Sequence, residues 1–171
     1  MIHRQFKGWL FYGVALSIVV VDQLSKYWVR AHLQPGVPWD AVAWLRPVLS
    51  LTYVTNTGAV FGMFSGLNWL FTGIAFATIG LILYFYHSMP AQTWLMRGTM
   101  GLLLGGACGN LIDRLWRGWV TDFFDLNFWP MQDWAVFNVA DSAVVVSTCI
   151  LMVYVLTQMS PEREGTRSGP S

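Results

Sequence analysis

Two aspartates in this chain sit where a carboxylate is expensive and no basic neighbour offsets it. Asp141 opens the apolar stretch FNVADSAVVVSTCILMVYVL (Phe137 to Leu156), with no basic residue within a helical turn. Asp122 lies in VTDFFD, flanked by Val120, Phe123 and Phe124. Ionisable residues inside membrane segments are costly and are functional candidates by default. Two carboxylates brought together at the edge of lipid would share a proton, because desolvation and the neighbour's charge both raise their pKa values. Such a pair holds one acid and one base at neutral pH. That suits activating a water while protonating a carbonyl or a leaving amine. On the residues alone, this chemical reading of Asp122 and Asp141 stands level with a structural one.

The other intramembrane polar groups recur at helical spacing. Asp22 and Lys26 stand at i and i+4; Asn110, Asp113 and Arg114 at i, i+3 and i+4; Asn138, Asp141 and Ser142 repeat that pattern. Each has a structural reading. Asp22 with Lys26 reads as an ion pair that fixes packing, and Asp113 beside Arg114 as an interfacial pair or helix end. Asn110 and Asn138 read as interhelical hydrogen-bond partners, and Asp125 and Asp133 as solvated loop acids. Rival chemistries lack parts: His3, His32 and His87 are scattered, and there is no HExxH, GxSxG or P-loop. Nothing resembles a clustered metal site.

These residues need elements to position them. Of 171 residues, 55% are hydrophobic and 11% charged, where soluble domains carry about 25% charged. The net charge of +1 leaves no basic stripe for nucleic acid. Four stretches approach the roughly 20 apolar residues of a membrane helix: about 9–29, 67–86, 94–112 and 137–156. The first is too long for a signal peptide, carries Asp22 and Lys26, and lacks a small-residue cleavage site. Residues His87 to Thr93, with Pro90, form a short turn; the links 30–66 and 113–136 are long. Alternating spans put both termini on one side, and the polar ends of spans one, three and four on the other. Arg4, Lys7, Arg97, Arg163 and Arg167 against Arg30, Arg46, Arg114 and Arg117 lean towards cytoplasmic termini.

The links carry their own signals. LSLTYVT (Leu49 to Thr55) alternates like a half-buried strand, and Asn56 to Gly58 is a turn before AVFGMF. A small β-hairpin or sheet resting on the membrane surface follows. The second link, LWRGWVTDFFDLNFWPMQDW, alternates bulky aromatics with acids. Trp28, Trp39, Trp44, Trp69, Trp116, Trp119, Trp129 and Trp134 gather on this side, which points to work at this interface; an aromatic belt or a simple lid is the plainer alternative. Cys108 and Cys149 read as small buried packing residues. The expected fold is a mainly α membrane protein, one integral membrane domain over 1–160. It is a four-transmembrane-helix bundle with a small extracytoplasmic β-sheet subdomain at about 37–65 and an interfacial aromatic-rich loop or helix at about 113–136. Residues 161–171 form a polar tail expected to be disordered and cytoplasmic. A proton-coupled transporter using Asp22, Lys26 and Asp141 as a relay is the runner-up, although the polar groups cluster at one end and no internal repeat is visible. A non-catalytic scaffold is a third reading.

Five motifs then occur in order: DQLSK, NTGAVF, GGACGNLIDR, VTDFFD and FNVADS. Together, from Asp22 to Ser142, they closely resemble the lipoprotein signal peptidases, the bacterial signal peptidase II family. The resemblance implies a membrane aspartyl endopeptidase that removes the signal peptide of prolipoproteins, cutting before a cysteine that already carries diacylglycerol. It implies a catalytic pair at Asp122 and Asp141. It implies supporting or substrate-binding roles for Asp22, Lys26, Asn56, Gly58, Asn110, Arg114, Asn138 and Ala140, with Asp113 ordering the NLIDR motif. It further implies no metal or cofactor, inhibition by globomycin-type cyclic peptides, and a monomer among membrane lipid. The setting would be the bacterial cytoplasmic (inner) membrane, with the site near the extracytoplasmic interface. The chain departs from the family's NTGAAFS at Val60 and Gly62, which leaves the pair untouched and the substrate loop open.

Overall fold

The computed structural model of the chain describes residues 2–40, 42–58, 66–88 and 93–159. In order they form α1 (Ile2–His32), β1 (Pro38–Trp39), a short 3-10 turn (Ala43–Leu45), β2 (Leu49–Asn56), α2 (Asn68–Ser88), α3 (Trp94–Arg117), β3 (Val120–Leu126) and α4 (Val139–Met159). AVFGMF after Gly58, the turn at Pro90 and the tail at 161–171 lie outside the described residues.

Among the described residues, three helical stretches are long and apolar enough to cross a membrane: Gly8–His32, Asn68–Ser88 and Val139–Thr157. The third of the expected spans, α3, is less apolar, because Arg97, Asp113, Arg114 and Arg117 and its glycines dilute it. It is nevertheless the helix on which α1, α2 and α4 all pack. It starts at Thr93, whose Oγ1 accepts the Met96 N–H at 3.2 Å. It runs past the expected end at Ile112 to Arg117 and stops at Gly118, left-handed at φ 83°, whose N–H donates to the Arg114 carbonyl. Asp113 and Arg114 are therefore helical residues rather than the start of a link.

The glycines explain how α3 can be central. A Cβ on Gly101 would lie 2.6 Å from the Phe11 carbonyl oxygen, and one on Gly105 2.7 Å from that of Ala15, both on α1. A Cβ on Gly106 would lie 2.5 Å from the Ala140 carbonyl oxygen of α4. Two adjacent small-residue stripes thus admit two helices at backbone distance, the way helices pack where lipid offers no hydrophobic drive. Gly106→Ala is expected to cost about 1–3 kcal/mol by overpacking. Gly98→Ala, where a Cβ would meet nothing within 4 Å, should gain roughly 0.5–1 kcal/mol. Thermal unfolding in detergent checks the opposite signs. Towards the far end of α3, Phe11 stacks on Tyr86 at 3.8 Å over Ile82, Met96, Met100 and Leu104. Cys108 packs against that core, whereas Cys149 is exposed and not the buried residue expected.

The strands form one antiparallel sheet in the order β1-β2-β3. LSLTYVTN is a strand as the alternation predicts. Its partners, however, are Pro38–Trp39 and the second link's VTDFFDL, so that link is not simply a loop or helix. Asp125 is accordingly no solvated loop acid: it sits on β3 and accepts the Thr52 hydroxyl at 2.6 Å. Pairing jumps from Leu51↔Phe124 to Val54↔Asp122, a bulge in β2. Beyond the bulge, Val54 and Asn56 pair with Asp122 and Val120, which puts Asn56 on the face of the sheet that carries Asp122. Val29, Tyr53 and Phe123 form the apolar seam between sheet and α1. The backbones of Phe124 and Phe137 exchange hydrogen bonds at 2.7 and 3.1 Å, fastening β3 to the approach of α4.

Candidate functional site

The start of α4 explains why a carboxylate stands at the mouth of an apolar helix. Asn138 is its N-cap: the side-chain Oδ1 accepts the Asp141 N–H at 2.9 Å, and Asp141 Oδ2 accepts the Asn138 N–H at 3.1 Å. This reciprocal box satisfies donors that a helix N-terminus leaves open. A third donor is met from another helix: Asp22 Oδ1 on α1 accepts the Ala140 N–H at 3.0 Å. Ala140 is fully buried. A Cβ on Gly109 would lie 2.6 Å from Asp22 Oδ2 and 3.2 Å from the Ala140 Cβ, so only glycine there lets α1, α3 and α4 converge.

Asp22 also ends a buried ionic chain. Lys26 Nζ lies 2.8 Å from Asp22 Oδ2 and 3.4 Å from Asp113 Oδ2, with all three side chains fully buried. It donates as well to Asn110 Oδ1 at 2.9 Å. That bond and a second from Asn138 Nδ2 at 3.1 Å orient the Asn110 amide, whose Nδ2 then donates to Asp141 Oδ1 at 2.7 Å. Asp113 faces Arg117 at 3.3 Å and Arg30 at 3.7 Å, and accepts the Thr121 N–H at 3.0 Å. The expected pairing of Asp113 with Arg114 is not formed, because consecutive helix residues point apart.

Asp122 arrives from the sheet, 2% exposed. Its Oδ2 accepts Asn56 Nδ2 at 3.0 Å and its Oδ1 accepts Asn138 Nδ2 at 2.6 Å. Asn56 is held by the Gly58 N–H on its Oδ1 at 3.0 Å, which turns its NH2 towards Asp122. Asn138 therefore joins the two carboxylates, donating its backbone N–H to Asp141 and its side-chain amide to Asp122. Burial, and then the charge of Asp141, push the Asp122 carboxyl up to about 7; the Asn56 and Asn138 hydrogen bonds and the Lys26 charge oppose the rise. The site thus places an acid that keeps its proton to neutrality beside a second carboxylate whose two oxygens both accept N–H donors.

Of the catalytic and supporting residues that the resemblance implies, all but Arg114 join this hydrogen-bonded network. The Arg114 guanidinium makes no hydrogen bond or ion pair among the described residues. It lies 5.8 Å over the Phe71 ring, within electrostatic reach of Asp141 and Asp122. Four further participants, Gln23, Arg30, Arg117 and Thr121, are not among the candidate residues. Gln23 Nε2 donates to Asp22 Oδ2 at 3.1 Å and to the Gly109 carbonyl at 3.0 Å. Arg30 donates to Thr121 Oγ1 at 2.9 Å. Arg30 was findable, being one turn past Lys26 on the Asp22–Lys26 stripe. Among the described residues, no group of three His, Cys, Asp or Glu is placed to hold a metal ion.

With this geometry in hand, comparison with known proteins is specific. The family model for signal peptidase (SPase) II matches residues 14–157. The chain is similar to the lipoprotein signal peptidase of Desulfitobacterium hafniense (strain DSM 10664 / DCB-2), 38% identical over 156 residues, 91% of this chain and 97% of that one. It is similar to that of Moorella thermoacetica, 41% identical over 141 residues, 82% of this chain and 89% of the other. A solved bacterial membrane enzyme superposes with a TM-score of 0.79 at 29% identity, covering 88% of this chain and 90% of its own.

Proposed function

The chain belongs to the signal peptidase II family, an aspartic peptidase family of the membrane, and from that premise we propose that it cleaves diacylglyceryl-modified prolipoproteins immediately before the lipidated cysteine, using Asp122 and Asp141. The observation that carries this reading is the Asn138 bridge, which ties the two carboxylates together while Asp122 holds a proton to about pH 7.

The reaction follows from those states. Asp141 takes a proton from a water, whose oxygen bonds to the scissile carbonyl carbon. Asp122 gives its proton to the carbonyl oxygen, so a neutral tetrahedral diol forms. Asp141 then passes its proton to the amide nitrogen, the C–N bond breaks, and Asp122 recovers a proton from the diol as the carboxyl product forms. Both carboxyls return to their starting states with one water consumed. Arg114, with no bonding partner among the described residues, and Asn56 are suited to hold substrate carbonyls. Asp22, Lys26, Asn110, Asp113, Asn138 and Ala140 support the pair, and Gly58 supports Asn56.

The setting completes the proposal. α3, at 24 residues, is about 36 Å long and serves as the fourth crossing, giving one integral membrane domain. Both termini are cytoplasmic, in the inner membrane of a bacterium, and the site lies at the outer interface. There the signal helix ends and the diacylglyceryl chains remain in lipid. The exposed Trp44, Trp116 and Trp129 suit that depth. The protein acts as a monomer, and globomycin-type cyclic peptides compete for the substrate site.

The test is a gel-shift cleavage assay with purified protein in lipid and a prolipoprotein with or without its diacylglyceryl group. Cleavage of the lipidated form alone is expected. Equal cleavage of both forms, or of neither by folded protein, overturns the substrate assignment.

A further inference from the structure

We infer that Thr121 and Arg30 together are the positioning residues that register the sheet-borne carboxylate of Asp122 against the membrane helices. The inference rests on the reading of Asp122 and Asp141 as the reacting pair. Those two residues come from different bodies. Asp141 is fixed on α4 by its capping box, whereas Asp122 rides on β3, in the sheet outside the helix bundle. A reaction that needs both carboxylates around one water therefore depends on how firmly β3 is held to the helices.

Thr121, the residue before Asp122, is where that hold is concentrated. It is fully buried, and each of its three polar groups is tied to a different partner. Its N–H donates to Asp113 Oδ2 of α3 at 3.0 Å, its Oγ1 accepts Arg30 of α1 at 2.9 Å, and its carbonyl lies 3.4 Å from Asn138 Nδ2 at the α4 cap. Three helices thus meet on one residue, and the next side chain is the carboxylate. Arg30 is itself steered by Asp113 at 3.7 Å, so the hydroxyl contact and the N–H contact share one acid. In a strand, successive side chains point to opposite faces. Thr121 can be gripped from the α1–α3 side while Asp122 turns to Asn56 and Asn138. Neither Thr121 nor Arg30 touches the proposed reacting atoms.

A misplacement of about 1 Å in a reacting group can cost on the order of 10²-fold in rate. Thr121→Val keeps the shape and β-branching and removes only the hydroxyl. It is expected to lower kcat about ten- to a hundredfold with KM for lipidated precursor within about twofold. Thr121→Ser, which keeps the oxygen, should stay within about threefold of wild type. Arg30→Gln, which also removes the 3.7 Å ion pair with Asp113, should lower kcat at least as much as Thr121→Val, and the double variant should be no worse than Arg30→Gln alone, because the hydroxyl bond is already lost in it. A general loss of stability would instead lower Tm in proportion, add in the double variant and spare the split between kcat and KM. Asp122→Asn, measured alongside, separates the two layers. If it is inactive while Thr121→Val and Arg30→Gln both retain wild-type kcat, the positioning inference fails and the pair stands. If Asp122→Asn itself cleaves at wild-type rate, the reading of the pair fails. Additive losses in the double variant also overturn the inference.

Discussion

Asp141→Asn and Asp122→Asn are each expected to lower cleavage of lipidated precursor by at least about 10²- to 10⁴-fold, the range for loss of a positioned acid or base. Both variants lose stability in the same way. Asp141→Asn keeps an oxygen that can accept the Asn138 N–H, but its NH2 then faces the Asn110 Nδ2 donor. Asp122→Asn puts an NH2 against one of two amide donors, Asn56 Nδ2 or Asn138 Nδ2. Each clash costs about 1–3 kcal/mol. Acidity separates the two. The Asp122 carboxyl titrates near 7 in the folded protein against an ordinary 3.8, so the folded state binds the extra proton between those values. Its stabilising contribution is complete below the ordinary value and is lost as pH rises through 7, with a ceiling of roughly 4 kcal/mol. Wild-type Tm should fall over that window relative to Asp122→Asn, which has no proton to lose, and the gap should narrow or reverse by pH 8. Cleavage by wild type should decline over the same upper limb as the acid is lost. Wild-type rates from either variant, or a Tm gap independent of pH, would remove Asp122 from the role of acid.

How far the sequence foretold this arrangement depends on which kind of information each residue carries. Spacing placed Asp22 with Lys26 and Asn138 with Asp141, because both pairs lie within one helix and a helix fixes its own i, i+3 and i+4 neighbours. Apolar length marks all four helices, but it ends the third at Ile112 and undervalues α3, whose Gly101, Gly105, Gly106 and Gly109 lower its apolarity because they face other helices. Hydropathy asks whether a residue suits lipid, and the buried face of a central helix does not meet lipid. β3 was read as a link because its partner, β2, lies more than sixty residues away and nothing local announces the pairing. For the same reason Thr121 is not legible: its partners are on other elements, at sequence separations such as the 91 residues between Arg30 and Thr121, and Gln23 links its neighbour Asp22 to the Gly109 carbonyl 86 residues away. Asp141 shows the converse. Its position invites a purely chemical reading, yet it is also the acid of a capping box, so helix initiation and the proposed chemistry draw on one side chain.

Lys26→Met is expected to be the most destabilising single change in the bundle. Its ammonium is fully buried and contacts two carboxylates and the Asn110 amide, and removing one partner of a buried ion pair costs about 3–5 kcal/mol. For a chain of this length that is a fall in Tm of roughly 6–20 °C. The two acids do not suffer equally. Asp113 keeps Arg117 at 3.3 Å and Arg30 at 3.7 Å, whereas Asp22 has no cation other than Lys26 within ion-pair distance among the described residues. Adding Asp22→Asn to Lys26→Met should therefore restore most of the lost Tm, since the asparagine oxygen can still accept the Ala140 N–H. Adding Asp113→Asn should restore little, because it strips two arginines of their acid. Activity should not follow stability. In every variant lacking Lys26, Asn110 Oδ1 loses its charged donor and keeps only Asn138 Nδ2 at 3.1 Å, so the 2.7 Å bond to Asp141 is held less firmly. Thermal unfolding and cleavage rates on the same preparations test this separation. Equal rescue by the two second-site changes would mean that the lysine serves the cluster as a whole. Recovery of activity together with Tm would mean that its hold on Asn110 is incidental.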